Sequence, residues 1–249
     1  MAINVNTVYT TVLNILNKEQ RGYLTPDEFN KIATQVQLEI FEKFFEDYNQ
    51  YIRMPKTDVE FASRMDHIME EFQVFEKTEF ADNTTPPTSN VYDQPTDLHR
   101  FGSASWNKGT NSPPIEILSN RDYNKVKLSP LTRPTNNFPV AKYQQDKLTV
   151  FPSPTIFVNT DVTFNYIRKP LDVVWAYSVG SLGQYVYEPT STGAGIIPTT
   201  GSVNFEISES QQTEVVLEIL KYSGIVIRDP QIIQAASQEL AQEEVNSKR

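Results

Sequence analysis

The sequence of 249 residues contains no cysteine and only two histidines, His67 and His99. The absence of cysteine excludes disulfide bonds, thiolate metal ligands and cysteine nucleophiles. Metal sites usually need two or three converging ligands, which two distant histidines do not provide. Glycine is also scarce, at nine residues, and the GxGxxG, P-loop and GxSxG motifs are absent. We therefore predict no enzymatic activity and no catalytic, metal-binding or cofactor-binding residue.

Long apolar runs and basic clusters are missing as well. No apolar stretch approaches the roughly 18 residues that cross a membrane, and the first twelve residues do not have the pattern of a secretory signal. With 22 basic and 31 acidic residues the formal charge is −9, and the longest basic run is Arg168-Lys169. Nucleic-acid binding through a basic patch is therefore not expected. Because no secretory signal is recognised, we expect the protein to work where it is made.

Helical patterns occupy both ends of the chain. Apolar residues recur at helical spacing over 5–16, and a second helix is predicted to begin at Thr25-Pro26, with Glu28 completing a capping box. A third helix, capped by Thr57 and Glu60, should carry the apolar residues Met65, Ile68, Met69, Phe72 and Phe75. Near the end, Ser208 and Gln211 predict another capping box before the apolar run 215–227, and Asp229-Pro230 predicts one more helix start.

The middle of the chain has a different pattern. Residues 81–97 are rich in Asn, Thr, Ser and Pro, which predicts a linker. After it, apolar residues alternate at 115 and 117, 148 and 150, 162 to 166, and 203 to 207, as in β-strands. Residues 176–203 are mostly Gly, Ser, Thr, Tyr and Pro, which predicts an exposed loop or long hairpin with too few apolar residues to fold against its own body.

These patterns predict an α+β protein. Residues 1–80 and 208–249 should form one helical bundle, because neither end alone can enclose the apolar run 215–227. Residues 98–207 should form an inserted antiparallel β domain that includes the exposed loop 176–203.

Residues 17–28 (NKEQRGYLTPDE) imitate the loop of a calcium-binding EF-hand. Gly22 occupies position 6 and Glu28 occupies position 12. However, Asn17 and Arg21 stand where the ion needs anionic oxygens. A turn between two helices followed by a capping box explains the same residues without calcium.

Two other kinds of site stay open at this stage. Any two of the 31 acidic residues could form the carboxylate pair of a glycosidase, but no particular pair is indicated. Aromatic residues such as Trp175, Tyr185 and Tyr187 could stack on sugars, or they could pack on the faces of strands.

Four stretches, taken in order, resemble a known family. They are LNKEQRGYLTPDEFN (16–30), PTDLHR (95–100), YQQDKLTVFP (143–152) followed by VTFNYIRKP (162–170), and FEISE (205–209). Together they are similar to the head-to-tail adaptor ring proteins of short-tailed bacteriophages, the tail tubular protein A type, and particularly to the ring proteins of crAss-like phages. None of the four stretches is a catalytic signature, so their succession carries the resemblance.

The resemblance implies a helical body made from both chain ends with an inserted β domain. It also implies a virion structural protein that forms a homo-oligomeric ring of twelve copies at the head-to-tail junction. Its partners would be other copies of itself, the portal protein and neighbouring ring or tail proteins, and the ring would be assembled in the cytoplasm of the bacterial host. It would line the channel and let DNA pass without specific binding. The segment 176–203 is longer than the resemblance leads us to expect.

Two alternative functions are compatible with the sequence. A glycan-binding virion module would need Trp or Tyr platforms in the β domain, and a glycosidase would need its carboxylate pair. An assay on host-wall polysaccharide would separate them, since binding without turnover favours the first and released sugars favour the second.

Overall fold

The computed structural model describes residues 2–18, 24–53, 69–81, 90–107, 112–152, 162–190, 195–227 and 230–247. These residues form helices and a mixed β-sheet, so the protein is of the α+β class, as the sequence predicted. The helices are α1 (Val5–Lys18), α2 (Pro26–Arg53), α3 (Asn120–Leu128), α4 (Gln212–Ile227) and α5 (Pro230–Ser247). The strands are β1 (Glu76–Phe80), β2 (Val91–Asp93), β3 (Leu98–Trp106), β4 (Pro114–Ile117), β5 (Val140–Gln144), β6 (Lys147–Phe151), β7 (Val162–Arg168), β8 (Tyr177–Val179) and β9 (Tyr185–Tyr187).

The chain divides into two compact units. Met1–Glu71 and Pro170–Arg249 together form the first, which we call the terminal unit, and Phe72–Lys169 form the second, the inserted unit. The predicted boundaries at 80, 97 and 207 differ from this division. They differ because β1 and β2, which lie in the predicted helical body and in the predicted linker, pair into the sheet of the inserted unit, while residues 170–207 belong with the terminal helices.

The start of α2 follows the predicted capping box. The Thr25 backbone N–H donates to Glu28 Oε2 at 3.0 Å, and the Glu28 N–H approaches Thr25 Oγ1 at 3.4 Å. Pro26 is the first helical residue, where its missing N–H is of no consequence. These reciprocal bonds satisfy backbone donors at the helix end that have no partner within the helix.

The core of the terminal unit is apolar. Helix α4 contacts α1, α2 and α5, and Val215 and Ile219 on it are completely buried. Contact on several sides explains why its sequence is apolar almost all round. The capping box predicted at Ser208 is wrong: a short 3₁₀ turn, Glu209–Gln211, precedes α4, and the Ser208 side chain makes no capping hydrogen bond.

The inserted unit contains a seven-stranded sheet in the order β1-β7-β3-β4-β5-β6-β2. Its β4 and β5 are parallel, so the sheet is mixed and not antiparallel as predicted. The alternating residues of β4, β6 and β7 do form strands, and Trp106, Leu148 and Phe164 lie in the core of this unit. At Gly102 a side chain would stand 2.8 Å from the Asn165 carbonyl oxygen, so glycine permits the close approach of β3 to β7.

Several predicted segments take another form. Residues 203–207 are not a regular strand, because only an isolated bridge joins Val203 to Val174, although Phe205 and Ile207 are buried. The third helix is described only at 69–73, and the turn before β1 contains Phe75; its predicted start at Thr57 and Glu60 lies outside the described residues. Residues 82–89 of the predicted linker also lie outside them, while β2 occupies 91–93.

The segment 176–203, predicted as an exposed loop or long hairpin, contains a short β-hairpin. Strands β8 and β9 pair as an antiparallel hairpin, and Tyr177 and Ile197 exchange two backbone hydrogen bonds. Ala176 and Ile196 are buried, at 0% and 4% exposure. Parts of the segment therefore pack against their own unit, but more than half of its described residues are exposed, including Val179, Leu182 and Ile197, so the prediction of an exposed segment is confirmed in part.

Candidate functional site

The residues singled out in the sequence do not converge on one site. Glu28, the expected last ligand of the calcium-like loop, uses its carboxylate in the α2 cap, and hydrogen bonds from Thr25 lower its pKa. His99 lies on β3, whereas His67 and residues 19–23 of the loop lie outside the described residues. Within the described residues, no group of three His, Cys, Asp or Glu side chains could hold a metal ion.

A cluster of four polar side chains occupies one end of the large sheet. The Tyr166 hydroxyl on β7 lies 2.7 Å from Asp97 Oδ1 and 2.9 Å from Glu79 Oε2. The Lys77 ammonium lies 2.9 Å from Glu79 Oε2 and 3.0 Å from Asp97 Oδ2. This arrangement joins the edge strand β1 to β7 and to the residue that precedes β3.

The protonation of this cluster follows from its contacts. Hydrogen bonds from Lys77 and Tyr166 lower the pKa of Glu79. Burial opposes the ionisation of Asp97, but the hydrogen bonds from Tyr166 and Lys77 and the nearby ammonium charge leave its pKa below the usual value. The two carboxylates raise the pKa of Lys77, and burial followed by the same two carboxylates raises the pKa of Tyr166. At neutral pH the cluster therefore holds two carboxylates, an ammonium and a neutral phenol.

These protonation states do not fit glycoside hydrolysis. That reaction needs one carboxyl group whose pKa is raised, so that it stays protonated and can donate to the leaving oxygen. Here both carboxylates are ionised, and the two acidic groups beside them hold their protons tightly. The cluster instead has the properties of an ion-pair network that ties three strands together.

We expect Tyr166→Phe to lower the free energy of unfolding by about 1–2 kcal/mol at pH 7, because the two carboxylates lose the single hydroxyl donor that they share. Since the folded-state pKa values of Glu79 and Asp97 are lowered, their stabilisation is present above the unfolded values near 4 and is lost as the pH falls further. The difference between wild type and variant should therefore shrink below about pH 4. Urea unfolding across this pH range measures it. Tyr143→Phe removes a neutral, exposed hydrogen bond to Gln94 and should show no such dependence.

In the terminal unit, one polar face of α2 binds an extended segment of the returning chain. Asn30 exchanges two hydrogen bonds with the Trp175 backbone, at 2.7 and 3.3 Å, and Thr34 does the same with Val173 at 3.1 and 3.4 Å. The buried Gln37 amide donates to the Leu171 carbonyl at 2.7 Å and accepts from the Glu206 N–H at 2.8 Å. Side chains 30, 34 and 37 share one helix face and advance by about 6.0 and 4.5 Å; the first advance is close to the roughly 6.6 Å between alternate residues of an extended chain, and the second is about 2 Å shorter.

This polar face was not predicted from the sequence. The sequence shows Asn30, Thr34 and Gln37 beside an apolar stripe, and the spacing i, i+4, i+7 places all three on one face. That spacing was the available signal, but polar residues on a helix usually face water. Their role depends on a segment more than 130 residues away in the chain.

Trp175 lies at the centre of an aromatic group and not on the surface. Its ring centroid is 4.3 Å from that of Tyr9, 5.9 Å from Tyr177 and 5.8 Å from Tyr187. The indole N–H donates to Asn6 Oδ1 at 3.0 Å, and the residue is only 4% exposed. Of the two possibilities left open for Trp175, stacking on a sugar is therefore wrong, and the ring packs inside the protein.

The inserted unit has an exposed surface that combines cations with apolar side chains. A groove of about 530 Å³ is lined in part by Leu131, Arg133 and Phe138. The charged groups of Lys127 and Arg133 lie 5.4 and 5.8 Å from the Phe151 ring centroid, and Lys142 lies 5.8 Å from that of Tyr123 on α3. We call Lys127, Arg133, Lys142, Leu131 and Phe138 the basic face.

The two units differ strongly in charge. By sequence, the terminal unit contains 11 basic and 22 acidic residues, a net charge of −11, whereas the inserted unit contains 11 basic and 9 acidic residues, a net charge of +2. The net charge of −9 for the whole chain therefore hides an uneven distribution, in which the acidic excess lies in the terminal unit.

Comparison with known proteins assigns this chain to no family. No helix within the described residues is long and apolar enough to cross a membrane. No protein-family model matches the chain, and no curated protein matches it.

Proposed function

We propose that this protein is a virion structural protein that forms a homo-oligomeric ring at the head-to-tail junction of a short-tailed phage. The ring connects the portal to the tail and lines the channel through which DNA passes. Its role is geometric, so it requires no catalytic group.

The division of the chain carries this proposal. Residues from both chain ends belong to one compact unit, and a sheet-containing unit is inserted between them, as the resemblance to adaptor ring proteins implies. Within the proposal, α1, α2, α4 and α5 form a helical bundle that serves as the body of the ring. Contacts of α4 with the other three helices support this arrangement.

The charge polarity also supports a ring. A ring subunit presents two different faces to its neighbours, one on each side. An acidic unit and a basic face on the same chain supply complementary surfaces for such contacts.

The two alternatives receive less support from the described residues. A glycan-binding module needs aromatic platforms, but Trp175 is buried, and Tyr185 is 40% exposed on the hairpin of the terminal unit. A glycosidase needs a protonated carboxyl, and the Glu79–Asp97 pair does not provide one at neutral pH. Host-wall polysaccharide remains the substrate for testing both functions.

Electron-microscope averages of the purified full chain test the proposal. We expect closed rings with a central opening and one rotational symmetry at micromolar or higher concentrations, and we expect no measurable affinity for duplex DNA at physiological salt. A protein that stays monomeric at every concentration and releases sugars from host-wall polysaccharide would contradict the ring and support the glycosidase. Saturable polysaccharide binding by a monomer would support the glycan-binding module.

A further inference from the structure

The cations of the basic face have no acidic partner in the described part of the chain. Among the described residues, Lys127, Arg133 and Lys142 contact aromatic rings but form no ion pair. The groove lining itself contains one cation, Arg133, and one carboxylate, Glu116. Lys127, which shares the Phe151 ring with Arg133, and Lys142 add two further cations without an ion-pair partner among the described residues.

The same surface exposes large apolar side chains. Leu131 is 94% exposed and Phe138 is 77% exposed, and both line the groove. Leu128, at the end of α3, is 81% exposed. Apolar groups that cluster around a groove favour a protein partner over a phosphate backbone, because a row of phosphates offers them nothing to pack against.

Helix α5 has the complementary properties. Between Pro230 and Ser247 the sequence contains Glu239, Glu243 and Glu244 but no basic residue. Seven of the ten side chains described between 233 and 242 are exposed, and only Ala236 is buried. One side of the helix therefore packs on α4, while the rest is available to another molecule.

We infer that the basic face of one copy binds α5 of a second copy. The inference rests on the proposed ring function and names the contact that builds the ring. Because the two surfaces are different parts of the chain, each copy both receives a helix and supplies one. Such head-to-tail contacts close into a ring when the rotation between copies is suitable.

A charge swap between two variants tests this contact. The face variant, Lys127→Glu with Arg133→Glu, presents a negative face and the native acidic α5. The helix variant, Glu239→Lys with Glu243→Lys and Glu244→Lys, presents the native face and a basic α5. Each variant alone repels its own copies, whereas a mixture restores an attractive pair at every contact. The control, Lys31→Glu with Lys169→Glu, makes the same charge change as the face variant at two exposed sites outside the basic face.

Sedimentation velocity of the full-length proteins measures self-association, and circular dichroism checks that each variant folds. We expect each variant alone to associate at least about tenfold more weakly than wild type and the equimolar mixture to regain wild-type association. The control should associate like wild type. Leu131→Ser provides a second measurement that does not depend on charge; the side chain is 94% exposed, so the variant should fold normally yet associate more weakly.

Other results would overturn the inference. Wild-type association by both variants, or a mixture that stays dissociated, would do so. If only the face variant lost association, the basic face would bind an acidic surface other than α5. Wild-type binding to a DNA duplex that the face variant loses would assign it to nucleic acid. If both variants still formed rings, the proposed ring function would be supported, but the contact between the basic face and α5 would be excluded. If the wild type formed filaments that both variants disrupted, the contact would be supported and the closed ring would not. A wild type that stays monomeric would exclude both the contact and the ring.

Discussion

Trp175→Ala is expected to lower the free energy of unfolding by about 3–5 kcal/mol, one of the two largest effects that we expect from a single substitution. The indole is 4% exposed and contacts the rings of Tyr9, Tyr177 and Tyr187. Its removal leaves a cavity at the base of the hairpin and removes the hydrogen-bond donor to Asn6. Denaturant unfolding followed by circular dichroism measures the loss.

Leu182→Ala is the matched control for Trp175→Ala. Leu182 lies in the same hairpin region but is 91% exposed, so its truncation should change stability by less than about 0.5 kcal/mol. A change below about 1 kcal/mol for Trp175→Ala would mean that the aromatic group is not packed as described. The contrast between the two variants would also separate anchoring of the hairpin from any function of its tip.

Gln37→Leu is expected to lower the free energy of unfolding by about 1–3 kcal/mol, although the two side chains are similar in size. Gln37 is 1% exposed, and its amide satisfies both the Leu171 carbonyl and the Glu206 N–H. Leucine removes both hydrogen bonds, and since these are only partly buried, water can replace part of what the Leu171 carbonyl and the Glu206 N–H lose. The expected result is a lower urea midpoint with an unchanged slope.

Gln35→Leu provides the comparison on the same helix. Gln35 is exposed, and among the described residues its amide bonds only to Glu39 one turn later, so its replacement should change stability by at most about 0.5 kcal/mol. Equal effects at positions 35 and 37 would argue that α2 does not hold the returning segment through its polar face. A selective loss at position 37 would identify this face as the element that joins the two chain ends.

The local sequence was sufficient to predict those elements that depend on interactions within a few residues. The start of α2 was predictable because Thr25, Pro26 and Glu28 satisfy backbone groups within one turn. Strands β6 and β7 were predictable because alternate residues face a core, whereas in β4 only Ile115 of the alternating pair is buried and Ile117 is exposed. By contrast α3 was missed, although Ser119 caps it and accepts a hydrogen bond from the Asp122 N–H. Its sequence has a short apolar face with Tyr123 as the buried residue, so the helical period is weak.

The alternation of apolar residues gave wrong predictions at two places where pairing with a neighbouring strand determines whether a strand forms. Strand β1 (EKTEF) is mostly exposed and shows little apolar alternation, yet it is a strand because its whole length pairs with β7. Residues 203–207 alternate well but lack a partner strand along their length, so they remain an extended segment with buried Phe205 and Ile207. Backbone hydrogen bonds to a neighbour, which the local pattern does not encode, make this difference.

The sequence by itself determined the α+β class, the helices at both chain ends and the absence of cysteine chemistry, because these follow from composition and from periods within a few residues of the chain. Only the tertiary structure decided the unit boundaries, the Tyr166 cluster, the burial of Trp175 and the basic face. Each of these brings together groups far apart in the chain, as when residues 30–37 bind 171–175 and when Lys127 and Arg133 meet at Phe151. Such contacts depend on where the chain returns, and local periodicity carries no information about that.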